Sequence, residues 1–432
     1  MGRQPFGLAS PAAWLRRDGW QVVCVDLSKQ PLARDVVADA DLVGFYLPMH
    51  TATRLAGPVI VRVRALNARA RVCAFGLYAP LNAEWLRSLG VDAVLGGEFE
   101  EDLRRAAAGQ PVVPSSQRAI ARLDFIVPDR AGLPPLDRYA TLHSGATRTL
   151  VGYTEASRGC RHRCRHCPIV PVYDGQFRVV PADVVLADAA AQIAAGARHL
   201  TFGDPDFLNG PTHAMRVVEG VHAAHPDVTY DVTIKIEHLL RHRELLPRLR
   251  DTGCLFITSA VESIDDAVLA RLEKGHTRQD FVDTVGLCRS VGVLLVPTFV
   301  AFTPWITLEG YCDLLDTIAA LDLVEHVAPI QLAIRLLIPN GSRLLELAAI
   351  REVVSGFDPA TLTHRWAHPD PRVDDLQQRI SNIVGVTLTR SRSEIFEEIS
   401  ALAHDAAGMP NVSSRPARQR ATIPYLNEPW YC

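Results

Sequence analysis

From about residue 149 onward, short apolar segments alternate with longer helical ones, and this alternation limits the possible folds more than any other feature. Helical patterns such as ADVVLADAAAQIAAGA and HLLRHRELLPRLRDTG lie between the apolar segments. The segments predicted to be strands are 149–156, 199–204, 228–236, 254–261, 294–302 and 328–335. Strands that alternate with helices form a parallel sheet with right-handed crossovers. The sequence therefore predicts an α/β protein with a partial (β/α)6 TIM-like barrel, and its chemistry is expected at the carboxyl ends of the strands.

A second α/β pattern precedes the barrel and occupies residues 1–108. Ser10 is predicted to cap a helix that has Pro11 at its first position. The predicted strands that follow are 20–27, 41–47 and 71–77. Helical segments between or after these strands predict a parallel sheet with helices on both faces. Such a sheet normally begins with a strand before its first helix, so we expect this domain to lack its first strand.

Three further regions complete the predicted organisation. Residues 109–148 have few periodic apolar positions and contain several prolines, which is typical of an extended linker. The barrel domain is predicted over 149–345. Residues 346–432 are expected to form a small C-terminal region with helices at 373–390 and 392–407, followed by a tail.

Composition narrows the class of protein. The 432 residues carry a formal net charge of −3, so bulk charge does not favour nucleic acid or an anionic membrane as a partner. The uncharged run at 290–308 is nearly long enough to cross a bilayer, but its prolines and β-branched residues favour a buried strand. Five of the nine cysteines are scattered among apolar residues, unlike a secreted disulfide framework. We therefore expect a cytoplasmic protein without a membrane span.

Three cysteines follow the first predicted barrel strand, within SRGCRHRCRHCPIVPVY. Cys160, Cys164 and Cys167 have the spacing C-x3-C-x2-C, and three thiolates on one loop suit three corners of a [4Fe–4S] cluster. The fourth iron is then left for a ligand from outside the protein. The alternatives are a zinc site with His162 or His166 as fourth ligand and a redox pair formed by Cys164 and Cys167.

Four arginines lie in or beside the same loop: Arg158, Arg161, Arg163 and Arg165. Their charges are expected to favour thiolates and to offset part of the negative charge of a cluster. A solvated basic loop or a phosphate contact is the alternative interpretation.

The cysteine spacing, placed after the first strand of a β/α barrel, resembles the radical S-adenosylmethionine (SAM) superfamily. The resemblance implies that the amine and carboxylate of SAM chelate the fourth iron. It also implies that the reduced cluster cleaves SAM to a 5′-deoxyadenosyl radical. The residue before the third cysteine is usually a carbocyclic aromatic in this family. Here it is His166, whose imidazole can stack in the same place, so we count it among the cofactor-binding residues.

The end of the second strand resembles the same family. There the family has a glycine-rich motif whose backbone meets the methionine amine, and TFGDPDF places Gly203, Asp204 and Pro205 at that point. A strand-ending turn is the alternative interpretation.

Later strand ends add further candidates. The segment SAVESIDDAVLARLEKGHT resembles family members that carry a cobalamin-type domain, so Glu262 and Ser263 are expected to face the ribose or methionine part of SAM. At the third strand end, Lys235 and Glu237 are either contacts to cofactor or substrate or an ion pair with each other.

The first domain resembles a cobalamin-binding Rossmann-like domain, through GLASPAAWLRRDGWQVVCVDL. The cobalt-ligating D-x-H-x-x-G motif is absent from the sequence. The nearest feature is His50, which we interpret as a surface or helix-capping residue. Because cobalamin also binds without a protein ligand on cobalt, it is a further candidate cofactor.

Nearly the whole chain shares in the resemblance. The segments SRGCRHRCRHCPIVPVY, FGDPDFLNG, TIKIEHLL and FTPWITLE resemble a subgroup with a thiol-rich tail that ends in Cys-Cys or Cys-selenocysteine before Ala-Glu-Pro. This chain ends in LNEPWYC. A selenocysteine codon read as a stop would produce this ending, and a natural terminus with Cys432 as a free thiol is the alternative.

These observations predict a radical SAM enzyme that transfers a methyl or other alkyl group to a small-molecule substrate. An electron donor such as flavodoxin or ferredoxin is the expected partner, and nucleic acid is not expected. No catalytic residue beyond the cofactor site is predicted. The alternatives are an RNA- or peptide-modifying radical SAM enzyme and a zinc-stabilised, non-catalytic binding protein. The sequence shows no appended basic RNA-binding module, which weakens the first alternative.

Overall fold

A computed structural model describes residues 2–112, 123–385, 390–410 and 423–426. Its N-terminal part is a three-stranded parallel sheet of order β1-β2-β3. The strands are β1 (Leu42–Tyr46), β2 (Arg71–Phe75) and β3 (Ala93–Val94). The helices are α1 (Phe6–Arg17), α2 (Arg34–Ala38), α3 (His50–Leu66), α4 (Ala83–Ser88) and α5 (Glu100–Ala107).

Both faces of this small sheet are covered by helices, as predicted. Along β2, Val72 and Ala74 pack into a cluster with α3 and α4. The intervening residues Cys73 and Phe75 pack into a second cluster with α5. This alternation is the two-residue period of a strand buried on both faces.

Two predictions for this region are wrong. Residues 20–27 do not form a strand: they run as an irregular segment beside α1, with Val23 largely exposed. The alternation of apolar residues does not produce a strand here, because none of the strands in the described residues pairs with this segment. Ser10 does not cap a helix, because α1 already begins at Phe6 and the Ser10 hydroxyl donates to Glu100 Oε1 at 2.7 Å.

The central sheet has seven strands in the order β11-β10-β9-β8-β5-β4-β14. Five of them, β5 and β8 to β11, are mutually parallel, whereas β4 and β14 pair antiparallel at one edge. The strands are β4 (Thr141–Ser144), β5 (Thr147–Thr154), β8 (His199–Phe202), β9 (Thr229–Thr233), β10 (Cys254–Glu262), β11 (Leu294–Phe299) and β14 (Tyr425–Leu426). A separate hairpin is formed by β6 (Ser157–Gly159) and β7 (Phe177–Val179).

Helices follow the parallel strands and cover the outer face of a partial barrel. They are α6 (Val170–Tyr173), α7 (Ala182–Ala194), α8 (Pro211–Ala224), α9 (Ile236–Arg241), α10 (Leu246–Asp251), α11 (Asp266–Leu272), α12 (Arg278–Val291) and α13 (Leu308–Ala320). The start of α12 is fixed by a capping box between Thr277 and Asp280. The predicted fold class, an α/β protein with a partial TIM-like barrel, is confirmed.

The prediction of a sixth strand at 328–335 is wrong. Residues Pro329–Leu332 form a 3₁₀ turn, and a single parallel bridge joins Phe302 to Arg335. The side chain of Gln331 accepts the Phe299 backbone N–H at 3.0 Å. A side-chain amide thus takes a hydrogen bond that a sixth strand would have taken.

The predicted linker, 109–148, is more ordered in its second half than expected. It contains β4 and the start of β5, and Arg130 pairs with Asp188 of α7 at 2.9 Å. The Tyr139 hydroxyl donates to Asp26 at 3.0 Å, which ties this segment to the N-terminal sheet region. The exact domain boundaries stay a prediction.

The C-terminal region packs helices against the barrel and adds a hairpin. Its elements are α14 (Ala348–Arg351), β12 (Val354–Asp358), β13 (Thr363–Trp366), α15 (Pro371–Gly385) and α16 (Arg392–Ala407). The helix predicted at 373–390 corresponds to α15 as far as Gly385, and its positions 386–389 lie outside the described residues. The helix predicted at 392–407 corresponds to α16, whereas the hairpin was not predicted. Among the residues described, no helix is both long enough and apolar enough to cross a membrane.

Candidate cluster and cofactor site

The three-cysteine loop begins directly after β6, beside the end of the first parallel strand. Gly159 has φ +74°, and a Cβ there would overlap the Gln176 carbonyl oxygen, so the turn into the loop requires glycine. The Cys160 N–H donates to that same carbonyl at 3.1 Å. Further along, the Arg165 N–H donates to Leu272 O at 3.0 Å, which fixes the loop against the end of α11.

The three cysteines of the loop are wholly or partly shielded from solvent. Cys160 and Cys164 are buried and Cys167 is half-buried. Burial raises the pKa of Cys160, and it raises that of Cys167 to about 12, with the neighbouring thiols adding to the effect. A cluster would therefore have to displace protons from the thiols of Cys160 and Cys167.

The thiol geometry fits a cluster better than a single zinc ion. In a tetrahedral site, zinc–sulfur bonds of ~2.3 Å hold ligand atoms about 3.8 Å apart. In the described parts of the chain, the three-residue group with ligand atoms within 4.8 Å of one another is His162, Asp206 and His238, and the three thiols do not form one. Wider separation is what three corners of a cubane need.

The two loop histidines are not placed to act as a fourth zinc ligand together with the thiols. His166 Nε2 lies 3.0 Å from Glu262 Oε1, and His162 Nε2 lies 3.4 Å from Asp206 Oδ2. Each imidazole faces a carboxylate on the barrel. The donor set for the loop is therefore three thiols, and it fits a [4Fe–4S] cluster with one iron open.

Most of the loop arginines are engaged by carboxylates, and their role in offsetting the charge of a cluster stays a prediction. Arg163 pairs with Asp174 at 2.8 Å and Arg165 with Glu273 at 2.6 Å. Arg161 lies over the ring of Phe177. The buried Arg158 faces three carboxylates, at 2.9 Å from Glu98, 2.7 Å from Glu100 and 3.1 Å from Glu155.

The cation near the thiols is Lys274, which sequence reasoning missed. Burial lowers its pKa, but Glu262 and the thiols of Cys164 and Cys167 outweigh that effect and raise it. Its Nζ lies 3.4 Å from Glu262 Oε1. The string LEKGHT contains no signal beyond the lysine itself, because its burial depends on the path of the chain after α11.

Glu262 joins these groups at the end of β10. Its backbone has φ +70°, a conformation that a non-glycine residue rarely adopts and that often marks a functional position. Burial raises its pKa, but Lys274 and His166 lower it to about 2, so Glu262 stays a carboxylate. The neighbouring Ser263 hydroxyl accepts the Asp265 N–H at 3.1 Å.

A cavity of about 290 Å³ opens beside this carboxylate, at the ends of β10 and β11. Glu262, Ser263, Arg278, Thr303 and Asp313 contribute polar lining. The structure thus brings the predicted residues Glu262 and Ser263 to a polar recess, and His166 to the same carboxylate.

The segment that follows β8, the second parallel strand, is held by several hydrogen bonds. Asp204 is buried and accepts hydrogen bonds from the Ala156 N–H and the Ser157 hydroxyl. The Gly203 N–H donates to Thr154 O at 2.8 Å. The Gly203 N–H and the Asp204 carboxylate thus already have hydrogen-bond partners within the protein. An ammonium group needs acceptors, so the backbone here would bind a methionine amine through carbonyl oxygens.

The other polar candidates have defined partners. Lys235 Nζ lies 3.6 Å from Glu237 Oε2, so the predicted alternative of an ion pair is observed. His50 lies at the start of α3, but it is buried and its Nε2 is 2.6 Å from Thr361 O rather than on the surface. Cys432 lies outside the described residues.

A partial parallel barrel with three thiols after its first strand and ordered polar groups at later strand ends defines a radical-generating cluster enzyme. Residues 154–319 match the model of the Radical SAM superfamily. This part of the chain is a radical SAM domain, and such a domain implies a [4Fe–4S] cluster and SAM.

Curated relatives match about half of the chain. It is 26% identical over 209 residues to tRNA-2-methylthio-N(6)-dimethylallyladenosine synthase of Chlorobaculum tepidum, which covers 46% of this chain and 44% of that one. It is 27% identical over 252 residues to ribosomal protein uS12 methylthiotransferase RimO of Desulforudis audaxviator, with coverages of 54% and 51%. The chain thus spans about half the length of these relatives.

Two solved structures share the fold over more of the chain. The cobalamin-dependent SAM radical enzyme OxsB, with aqua-cobalamin and SAM bound, has a TM-score of 0.70 at 13% identity and covers 94% of this chain and 69% of that one. The radical SAM methyltransferase TsrM from Kitasatospora setae has a TM-score of 0.56 at 19% identity, with coverages of 74% and 69%. The first likeness includes the N-terminal domain, whose fold is thus cobalamin-binding-like.

Proposed function

We propose that this radical SAM enzyme transfers a methyl or other alkyl group to a small-molecule substrate. The observation that carries the proposal is the combination in one chain of the three-thiol loop and an N-terminal domain that matches OxsB in fold. When bound, the cluster and SAM would supply reductive cleavage of the sulfonium. A cytoplasmic location and an electron donor such as flavodoxin or ferredoxin stay predictions.

In this proposal Cys160, Cys164 and Cys167 hold three irons and leave the fourth to SAM. Lys274, close to two of these thiols, offsets part of the negative charge of the thiolates. Glu262 is held as a carboxylate next to the recess and can accept hydrogen bonds from hydroxyl groups. His166 fixes that carboxylate from the loop side.

Cobalamin is the proposed methyl carrier. OxsB and TsrM are both described with cobalamin, and both resemble this chain in fold. His50 would not ligate cobalt through Nε2, because that atom is engaged with the Thr361 carbonyl. We therefore propose that cobalamin binds this domain without a histidine ligand.

A second candidate is methylthio transfer to a macromolecule. The curated relatives support this candidate, because their names describe the modification of tRNA and of a ribosomal protein. The net charge of −3 favours the small-molecule proposal, since phosphate-rich RNA is bound through clustered basic residues.

Anaerobic reconstitution with iron and sulfide tests the cluster. The wild-type protein is expected to hold about four irons per chain, and Cys164→Ala to hold far fewer because one corner ligand is gone. Cys24→Ala, which removes a buried thiol remote from the loop, is the matched control and should match the wild type. Stoichiometric zinc without iron would contradict the proposal.

Product analysis tests the reaction. The reduced holoenzyme, supplied with cobalamin and SAM, is expected to form S-adenosylhomocysteine together with a methylated small molecule. Bound cobalamin is checked by its visible spectrum after desalting. Methylthiolated RNA formed from added tRNA would favour the second candidate, and SAM cleavage without any transferred group would rule out both.

A further inference from the structure

Three possible metal ligands converge beside the cysteine loop: His162, Asp206 and His238. His162 lies between Cys160 and Cys164, Asp206 follows β8, and His238 is in α9 after β9. One ligand atom from each of the three lies within 4.8 Å of the other two. Three separate chain segments thus bring two imidazoles and one carboxylate to a single point.

The converging atoms are buried and lack hydrogen-bond partners. Among the described residues, no group makes a hydrogen bond to His162 Nε2, Asp206 Oδ2 or His238 Nδ1. His238 Nδ1 lies 2.7 Å from Asp206 Oδ2 and His162 Nε2 lies 3.4 Å from it, close contacts that do not have hydrogen-bond geometry. Asp206 is fully buried and His238 nearly so. Buried polar atoms left in this way are costly unless something else binds them.

The surrounding groups orient these atoms toward one another. The Lys235 N–H contacts the other carboxylate oxygen of Asp206, Oδ1, at 3.5 Å, which leaves Oδ2 directed at the imidazoles. On the far side of His162, Nδ1 lies 3.7 Å from Glu237 Oε2. A carboxylate behind a histidine is the usual arrangement that fixes a metal-ligating imidazole.

We propose that His162 Nε2, Asp206 Oδ2 and His238 Nδ1 bind a divalent transition-metal ion, of the Zn²⁺ or Fe²⁺ type, separate from the cysteine-bound cluster. Two imidazoles and a carboxylate suit these ions. Three protein ligands leave one position of a tetrahedron open for water or for an oxygen or nitrogen donor of a substrate. Because His162 belongs to the cysteine loop, the ion would also anchor that loop to the ends of β8 and β9.

Zinc is the probe of choice, because its X-ray absorption is measured independently of the iron in the cluster. The reconstituted holoenzyme is incubated with zinc, desalted, and analysed for metal content and for the zinc absorption fine structure. We expect about one zinc per chain, with nitrogen and oxygen neighbours at about 2.0–2.2 Å. A sulfur neighbour at about 2.3 Å would place the zinc on the cysteines and overturn the proposal.

Substitutions locate the site. Asp206→Asn keeps the shape of the side chain but removes its charge, and His162→Gln changes a loop residue whose side chain is 17% exposed. Each is expected to lower zinc content to the background of the method. His242→Gln is the matched control, because its ring neighbours that of His238 but is not one of the three ligands. Zinc retained in full by Asp206→Asn would refute the site.

A positioning variant and a cluster-free variant complete the test. Glu237→Gln should weaken zinc binding on the order of 10- to 100-fold without abolishing it, as loss of a carboxylate behind a ligating histidine does. The variant with all three loop cysteines changed to alanine should still bind zinc through nitrogen and oxygen. Iron retained by that variant would count against the cluster assignment alone, and zinc lost together with the iron would count against the second site alone, so failures of the two proposals are distinguishable.

Discussion

At the scale of single residues, the junction below the cysteine loop contains one guanidinium and three carboxyl groups. Arg158 contacts Glu98, Glu100 and Glu155, all in largely buried positions. One positive charge does not neutralise three negative ones. Burial raises the pKa of Glu155 to about 7; Arg158 lowers it in part, and the buried Asp204 adds to the rise.

This raised pKa predicts an unusual pH dependence of stability. The pKa of Glu155 lies above its ordinary value of 4.5, so the folded protein holds a proton that the unfolded chain releases. Its contribution to the free energy of unfolding therefore falls as pH rises from about 4.5 to about 7, and is constant above that. Glu155→Gln removes the contribution, so the variant should gain about 2–3 kcal/mol relative to the wild type between about pH 5 and pH 8.

Urea unfolding of both proteins across that pH range provides the measurement. Glu101→Gln, in the exposed first turn of α5, is the control and should show no such trend. A wild-type minus variant difference that does not change with pH would contradict the pKa assigned to Glu155.

At the scale of elements, the ends of the parallel strands are packed too closely to accept larger residues. A Cβ on Gly203, directly after β8, would overlap the hydroxyl of the half-buried Tyr153 on β5. The contact sets the spacing of two neighbouring strand ends. The sequence pattern GDPD therefore contains a steric requirement as well as a candidate cofactor contact.

Gly203→Ala is accordingly expected to destabilise the protein by about 1–3 kcal/mol, as overpacking of a filled core does, and to weaken SAM binding. Gly286→Ala is the matched control, since a Cβ there meets nothing within 4 Å and the residue lies inside α12. It should stabilise the helix by about 0.5–1 kcal/mol. Thermal unfolding and SAM titration measure the two effects, and equal behaviour of the variants would refute the steric account.

The predicted strands that form are those that pair with a neighbouring strand, such as the buried β8 and the largely buried β10. Predictions failed where periodicity alone could not reveal a partner. Residues 20–27 alternate like a strand, but none of the described strands pairs with them. At 328–335 the side chain of Gln331 takes a hydrogen bond that strand pairing would have taken. The cysteine loop was found from spacing, because its ligands are close in sequence. Lys274 and the group around Asp206 were missed, because each depends on contacts between distant segments.

At the scale of the whole molecule, the N-terminal domain and the barrel are joined by buried charges. Arg158, next to the cysteine loop, reaches Glu98 just before α5 and Glu100 within it. Arg130 reaches Asp188 of α7 and the side chain of Gln4 near the N-terminus. These contacts place the cofactor loop and the N-terminal domain in one packed unit.

Arg158→Ala should therefore affect more than one domain. Removal of the cation leaves buried carboxylates unpaired, which typically costs about 3–5 kcal/mol. We expect a single unfolding transition to separate into two in calorimetry, with α5 exchanging its amide hydrogens faster. Arg163→Ala, which breaks an exposed pair with Asp174, should cost less than about 1 kcal/mol and serves as the control. Equal effects of the two variants would show that Arg158 does not couple the domains.

The short strand β14 closes one edge of the central sheet, where Leu426 pairs with Leu142 and packs beside Val151 and Phe256. During synthesis β4 emerges long before its partner, so for most of translation this edge has unpaired backbone groups next to apolar side chains. An uncovered edge of that kind invites pairing with other chains. Nascent chains of this protein are thus expected to depend on chaperones until residues 425–426 have left the ribosome.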